Sequence, residues 1–237
     1  MKKIFPSEFS DILNGRGLKA LRDPTQDHNC KLGFLSNIIQ KKYAEKILQD
    51  LNEYFYRNLH IHNATIPHDS IMRMKRNYTE QLGKTMKMKT IDLNNVRTKS
   101  YKLALDTGLI EMLHSASYKK MGEMLLTASF GAPVGNQLIC YEDSGYVSPH
   151  NDHHPEDKHL KAGYYDIQLM LSNNYVTNQF LVYEEHGFLN KAVDISTLSG
   201  IAVYRLPFWH YTTPLMAKKN FESKAQRWLL LGSYEFA

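Results

Sequence analysis

Cysteine is nearly absent from this 237-residue chain: only Cys30 and Cys140 occur, far apart and outside any CxxC or CxC spacing. That scarcity excludes a disulfide framework and a zinc knuckle. Long apolar runs are missing too, so no segment approaches the roughly 20 residues that a membrane-spanning helix needs. The N-terminus, Met1-Lys2-Lys3-Ile4-Phe5-Pro6, starts like a basic leader but meets Pro6, Ser7 and Glu8 before an apolar stretch develops. The expected compartment is therefore the cytoplasm, with no membrane partner. Repeats of fixed period and low-complexity stretches are also lacking, which removes solenoids and propellers.

What is present is the material of a folded domain. Hydrophobic residues make up 43% of the chain, charged residues 22% and aromatics 11%, enough apolar surface to offset the entropy of ordering. The net charge of +5 conceals an asymmetry: residues 1–130 carry 21 Lys and Arg against 13 Asp and Glu, whereas 131–237 carry 8 against 11. Within the first half, Arg73, Lys75, Arg76, Lys84, Lys87, Lys89, Arg97, Lys99 and Lys102 face only Glu80 and Asp92. A solvated face accounts for such a run, and so does a surface for an anionic partner such as nucleic acid.

The first half reads as mainly helical. Apolar residues from Ile38 to Phe55 recur at intervals of three and four, which predicts one long amphipathic helix over 36–59 with Ser36 as its N-cap. A second helical region spans 100–127, with Gly108 or Ser115-Ala116-Ser117 as breaks. Residues 60–99 are polar and basic, interrupted by Pro67 and Gly83, and read as loops with a strand or two. After Gly131-Ala132-Pro133 short runs rich in Tyr, Val, Ile and Leu alternate with turn residues, which predicts strands near 137–142, 163–171, 179–184, 192–195, 201–206 and 227–235. Helices followed by strands define an α+β fold in which a helical layer covers a curled β-core. The reading divides the chain into a mainly helical region, 1–133, that buttresses the core and shapes a substrate mouth, and a β-core over 134–237.

Four of the eleven histidines, His150, His153, His154 and His159, crowd the segment that opens Ser148-Pro149-His150-Asn151-Asp152. On an extended backbone residues two apart share a side, so His150 and Asp152 can offer a nitrogen and an oxygen to one ion. His210, just beyond the strand near 201–206, supplies a third ligand. Two His and one Asp cover one face of an octahedral ion and leave positions open, as suits non-haem Fe(II) rather than structural zinc. His153, His154 and His159 read as surface or supporting residues, since three protein ligands suffice. Met72, Met74, Met86 and Met88 read as packing filler. Arg227 opens the last apolar strand, where its planar fork either grips a carboxylate ligand or pairs with an acid such as Glu235 or Asp166.

Taken together, Tyr141, Gly145-Tyr146-Val147 leading into His150-x-Asp152, His210-x-x-x-Pro214-Leu215 and Arg227-Trp228 resemble the 2-oxoglutarate and Fe(II)-dependent oxygenases, prolyl hydroxylase-like branch, over roughly residues 134–237. The resemblance implies a double-stranded β-helix, or jelly roll, with N-terminal helices packed on it. It further implies Fe(II) held by His150, Asp152 and His210, with O₂ as oxidant. Arg227 would bind the distal carboxylate of the co-substrate 2-oxoglutarate and Tyr141 would hydrogen-bond to it, although a core aromatic is an equal reading of Tyr141. The implied activity is hydroxylation of a C–H bond in an amino-acid-like substrate, free or within a peptide, with release of succinate and CO₂. No side-chain acid or base is required beyond the metal centre. Three features differ from relatives of that family: Asn178-Gln179 stands where many prolyl hydroxylases have paired glycines, the His210–Arg227 segment is longer and contains Lys218, Lys219 and Lys224, and Ser233 stands where the nucleic-acid demethylase branch has a second arginine. The alternative is a nucleic-acid-directed oxygenase or a non-catalytic binding protein that uses the basic stretch 73–102.

Overall fold

The computed structural model describes residues 3–24, 31–72, 81–154, 157–158 and 160–237. Five α-helices come from the first half: α1 (Gly15–Ala20), α2 (Lys41–Asp50), α3 (Lys99–Asp106), α4 (Leu109–Leu113) and α5 (Ala116–Leu126). The early strands are β1 (Leu32–Ser36), β2 (His60–Met72) and β3 (Gln81–Asp92). They are followed by β4 (Phe130–Glu142), β5 (Tyr146–His150), β6 (Tyr164–Ser172), β7 (Val176–Asn178), β8 (Phe180–Glu185) and β9 (Phe188–Asp194). Last come β10 (Ser199–Leu206), β11 (His210–Thr212), β12 (Met216–Ala217) and β13 (Gln226–Phe236). All six strands expected beyond residue 133 are present.

An antiparallel sheet in the order β1-β10-β6-β13-β4-β3-β5-β11-β8-β9, with β2 hydrogen-bonded to β3, curls into a nearly closed barrel. Successive side chains of a strand point to opposite faces, and β6 and β13 use both. Ile167, Leu169 and Leu171 on β6 and Trp228, Leu230 and Tyr234 on β13 pack outward with α2, α4 and α5 in one core. Met170 and Leu229 belong to a second core inside the barrel with Ile139, Tyr141 and Tyr204. The continuous apolar run Trp228–Leu231 thus reflects a strand covered on both sides. Gly122 lets α5 approach the sheet: a Cβ there would lie 2.6 Å from Phe130 and 2.7 Å from Ile167. The Tyr118 hydroxyl, also on α5, lies 3.0 Å from the carbonyl oxygens of both Ile167 and Leu230.

The helix expected over 36–59 starts later. Ser36 ends β1, which pairs with β10 from Leu32–Tyr204 to Ser36–Gly200, and Asn37 turns the chain with φ 54°. Helix α2 then runs on through a π turn (Leu51–Phe55) and a 3-10 turn (Tyr56–Asn58), so the periodicity marked one helical body with its start misplaced. Both predicted breaks in 100–127 occur: Gly108 has φ 84°, and the Ser115 hydroxyl caps α5 at Tyr118 N–H. The region 60–99 is largely a long hairpin of β2 and β3 rather than loops. Of the basic stretch, Lys89 is engaged with Glu142 and Tyr56; Arg73, Lys75, Arg76 and Met74 lie outside the described residues, and no helix among those described is long and apolar enough to cross a membrane.

Candidate metal centre

His150 ends β5 and His210 begins β11, and the two residues are register partners. Asp152 follows on the loop, with φ 50°, in the left-handed region that aspartate tolerates better than most residues. This kink carries its carboxylate back to the histidines: Asp152 Oδ2 lies 3.3 Å from His150 Nε2 and 3.6 Å from His210 Nε2. Neighbouring ligands about 2.1 Å from one octahedral ion would stand about 3 Å apart. One donor atom from each residue falls within 4.8 Å of the others, and both histidines are buried.

The tautomers follow from the backbone. His150 Nδ1 is 2.7 Å from Ser148 O, and His210 Nδ1 is 3.0 Å from Phe208 O. A carbonyl can only accept, so each Nδ1 carries a proton, and Nε2 is the nitrogen of each ring that faces Asp152 and is placed to bind a metal. The Tyr204 and Phe208 rings stack on His210 at centroid distances of 5.1 and 5.0 Å and fix its plane. Two imidazoles and one carboxylate, converging with open space beside them, form a donor set that fits Fe(II).

That space is a cavity of about 590 Å³ inside the barrel. Arg227 lines it and is 1% exposed. Its Nε–H donates to Gln179 Oε1 at 2.6 Å, and its guanidinium lies over the Tyr141 ring at 4.5 Å. Nη1 and Nη2 are buried with no hydrogen-bond partner among the described residues. A guanidinium with two idle donors in a cavity is a fitting receptor for a ligand carboxylate. Burial pulls the Arg227 pKa below its usual value, opposed by the nearby Tyr141 and Tyr204. Burial raises that of Tyr141, with Arg227 and Thr212 working the other way.

The structure therefore brings His150, Asp152, His210, Arg227 and Tyr141 around one cavity. Arg227 pairs with neither Glu235 nor Asp166. Lys218, Lys219 and Lys224 are exposed and do not line the cavity. His153 and His154 stand outside the converging group, His154 lining the cavity beside Tyr164, while His159 lies outside the described residues. Two participants were missed by sequence reasoning. Gln179, fully buried, also donates to Gly145 O and Thr213 O and so locks Arg227 to the β5 and β11 side of the barrel. Asp166, facing the cavity from β6, accepts from the Ser233 hydroxyl at 2.6 Å.

No protein-family model and no curated protein matches the chain. Solved structures do. A prolyl hydroxylase from Trichoplax adhaerens, in complex with a hypoxia inducible factor oxygen degradation domain peptide fragment, superposes with a TM-score of 0.54 at 11% identity, over 92% of this chain and 90% of that one. A 2OG-Fe(II) oxygenase family oxidoreductase from Burkholderia pseudomallei gives 0.52 at 12% identity over 99% and 95%. The non-heme alpha ketoglutarate dependent carbocyclase SnoK from nogalamycin biosynthesis gives 0.51 at 8% identity over 96% and 86%. The fold of this chain is the double-stranded β-helix of the 2-oxoglutarate and Fe(II)-dependent oxygenases. Prolyl hydroxylases are among the structures that share it.

Proposed function

We propose that the protein is a non-haem Fe(II)- and 2-oxoglutarate-dependent dioxygenase that hydroxylates a C–H bond of an amino-acid-like substrate, free or within a peptide. The observation that carries this reading is the coincidence, in one buried cavity, of the His150–Asp152–His210 donor set and an arginine with two idle donors. A nucleic-acid reading has no comparable support.

In this reading His150, Asp152 and His210 hold Fe(II), and Arg227, with Tyr141 beside it, receives the distal carboxylate of 2-oxoglutarate. The bound metal and co-substrate supply the oxidising power: one O₂ is consumed as substrate C–H becomes C–OH and 2-oxoglutarate becomes succinate and CO₂. The chain itself binds, orients and excludes water. Ser148 O and Phe208 O hold the imidazole protons away from the metal side, Gln179 aims the Arg227 fork, and the apolar wall of Ile139, Met170, Leu181 and Leu229 lowers the local dielectric. Residues 1–133 supply the covering helices and also β1, β2 and β3 of the barrel sheet, and Met88 and Asn94 from this part line the cavity.

The test is an anaerobic titration of metal-free protein with Fe(II) and 2-oxoglutarate, followed by visible absorption. A charge-transfer band that needs both additions and disappears in His210→Ala is expected. A well-folded protein without the band would overturn the assignment.

A further inference from the structure

The inner wall of the cavity is built in layers. Residues paired across neighbouring strands share a face, and β13 lies between β4 and β6. Arg227 is paired with Tyr141 and Ser172, which makes the layer at the co-substrate end. Two positions on, Leu229 stands between Ile139 and Met170 in a wholly apolar layer. Two further on, Leu231 stands between Gln137 and Gln168, and all three line the cavity. At about 4.8 Å between strands and about 3.4 Å per residue, the backbones of the two glutamines lie about 10 Å apart, and Leu231 about 13 Å of strand from Arg227. Ala202 on β10 follows Gln168 in the same layer and, being small, leaves room beside it. Gln137 and Gln168 are half-buried, and neither carboxamide makes a hydrogen bond among the described residues. The other polar groups of this wall are engaged: Asn136 is held against His114 Nε2 at 3.0 Å, Asn94 Oδ1 accepts from the Asn136 N–H at 2.7 Å, and Ser233 donates to Asp166.

We propose that Gln137 and Gln168 are specificity-determining residues that hold a neutral carboxamide of a small substrate against Leu231. The proposal rests on the oxygenase reading for the substrate's fate, but not for which group is held. A carboxamide is donor and acceptor at once. Two of them, facing the cavity from either side of one leucine, are complemented by a planar group that offers both roles and lays its face on the apolar side chain between them. A substrate that fills the cavity expels the water from these side chains. If it brings no polar group in return, both carboxamides are left unpaired, and that penalty is how a site rejects the analogue that lacks the matching group. A carboxylate would answer only their N–H groups and would meet no cation in this layer, since Arg227 is the sole Lys or Arg among the described lining residues. The apolar layer of Ile139, Leu229 and Met170 suits the aliphatic stem of such a molecule. The carboxamide belongs either to the side chain of a free amino acid or to the backbone of a peptide, and the probes below separate these sources.

Calorimetry with three probes decides the matter: L-glutamine, which carries a side-chain carboxamide, N-acetyl-L-norleucinamide, which carries backbone amides, and L-norleucine, which carries neither. Each is titrated with and without anaerobic Fe(II) and 2-oxoglutarate. At least one amide probe is expected to bind the wild type about tenfold or more tighter than L-norleucine, as matched hydrogen bonds at two side chains allow, and the tighter of the two names the source. Gln137→Met and Gln168→Met keep the shape and remove the amide; each should lower that ratio by about threefold or more, and the double variant should bring it to within about twofold. The single variants carry the test by themselves if the double variant does not fold. Equal affinities in the wild type, a preference that survives in both single variants, or no binding of either amide probe would overturn the proposal. The charge-transfer band is read separately in the same samples. An amide preference without the band would sink the oxygenase reading and leave the glutamine pair standing; the band without a preference would do the reverse.

Discussion

The Nε–H of Arg227 donates to Oε1 of Gln179 at 2.6 Å, with both side chains buried and 48 residues apart in sequence. Gln179 spends its own amide hydrogens on two backbone carbonyls, so its orientation is fixed and it fixes the arginine in turn.

A hydrogen bond to a charged group is worth about 1.5–3 kcal/mol. Gln179→Leu is therefore expected to weaken 2-oxoglutarate binding by about tenfold to a hundredfold while leaving Fe(II) binding nearly intact. Calorimetric titrations of metal and of co-substrate, done separately, check this split. Equal losses for both would mean that Gln179 supports the whole barrel rather than the arginine.

Asp152 occupies a left-handed backbone position that asparagine also tolerates. Asp152→Asn should thus keep the fold and remove the charge. Fe(II) affinity is expected to fall by at least about tenfold, the scale at which even the outer partners of metal ligands matter, with an unchanged melting temperature in the metal-free state. A large fall in that temperature would instead assign Asp152 a structural role.

On the opposite side of the sheet, Tyr118→Phe removes a hydroxyl that faces two buried carbonyl oxygens. Losing that partner is expected to cost about 1–3 kcal/mol. Urea unfolding at neutral pH measures it, and the Fe(II) and 2-oxoglutarate band should be unaffected because the residue sits on α5, on the outer side of the sheet and away from the cavity.

Burial drives the Cys140 thiol far above its ordinary value. The same cause raises the phenols of Tyr118, Tyr141, Tyr164, Tyr204 and Tyr234. The folded chain keeps these protons where the unfolded chain releases them, so the stabilisation is complete below the unfolded pKa values and is lost as pH rises. The decline should begin near pH 8.5 with the thiol and steepen near pH 10 with the phenols, by at most about 1.4 kcal/mol per pH unit for each group. Unfolding free energies at pH 7, 8.5, 9.5 and 10.5 test this. In Cys140→Ala the fall between 8.5 and 9.5 should shrink, and Cys140 in the native protein should resist thiol reagents at pH 8.

The parts of the site legible in the sequence are those whose geometry is set by strand period. His150 and Asp152 stand two apart, His210 follows a strand of buried type, and Arg227 is a charge at the head of an apolar run. Gln179 was visible only as a departure from a pair of glycines, and Ser233 only as a missing arginine. Their roles depend on contacts across 48 and 67 residues that no local pattern encodes. The fold shows the same division. The strands beyond residue 133 carry their own signal, whereas β1 is too short to show a period and takes its conformation from β10. The β2 and β3 hairpin is polar enough to pass for loop.

Strand β13 alternates without interruption from Arg227 to Ser233, inward residues lining the cavity and outward ones meeting the helices. It acts as a ruler. The spacing of Arg227, Leu229, Leu231 and Ser233 along the cavity wall is counted in peptide units and cannot be adjusted by a side-chain rotation. An insertion in the exposed stretch between β12 and β13 leaves that measure untouched. A single residue inserted within the strand would turn Trp228-type side chains inward and reset the length of molecule that fits.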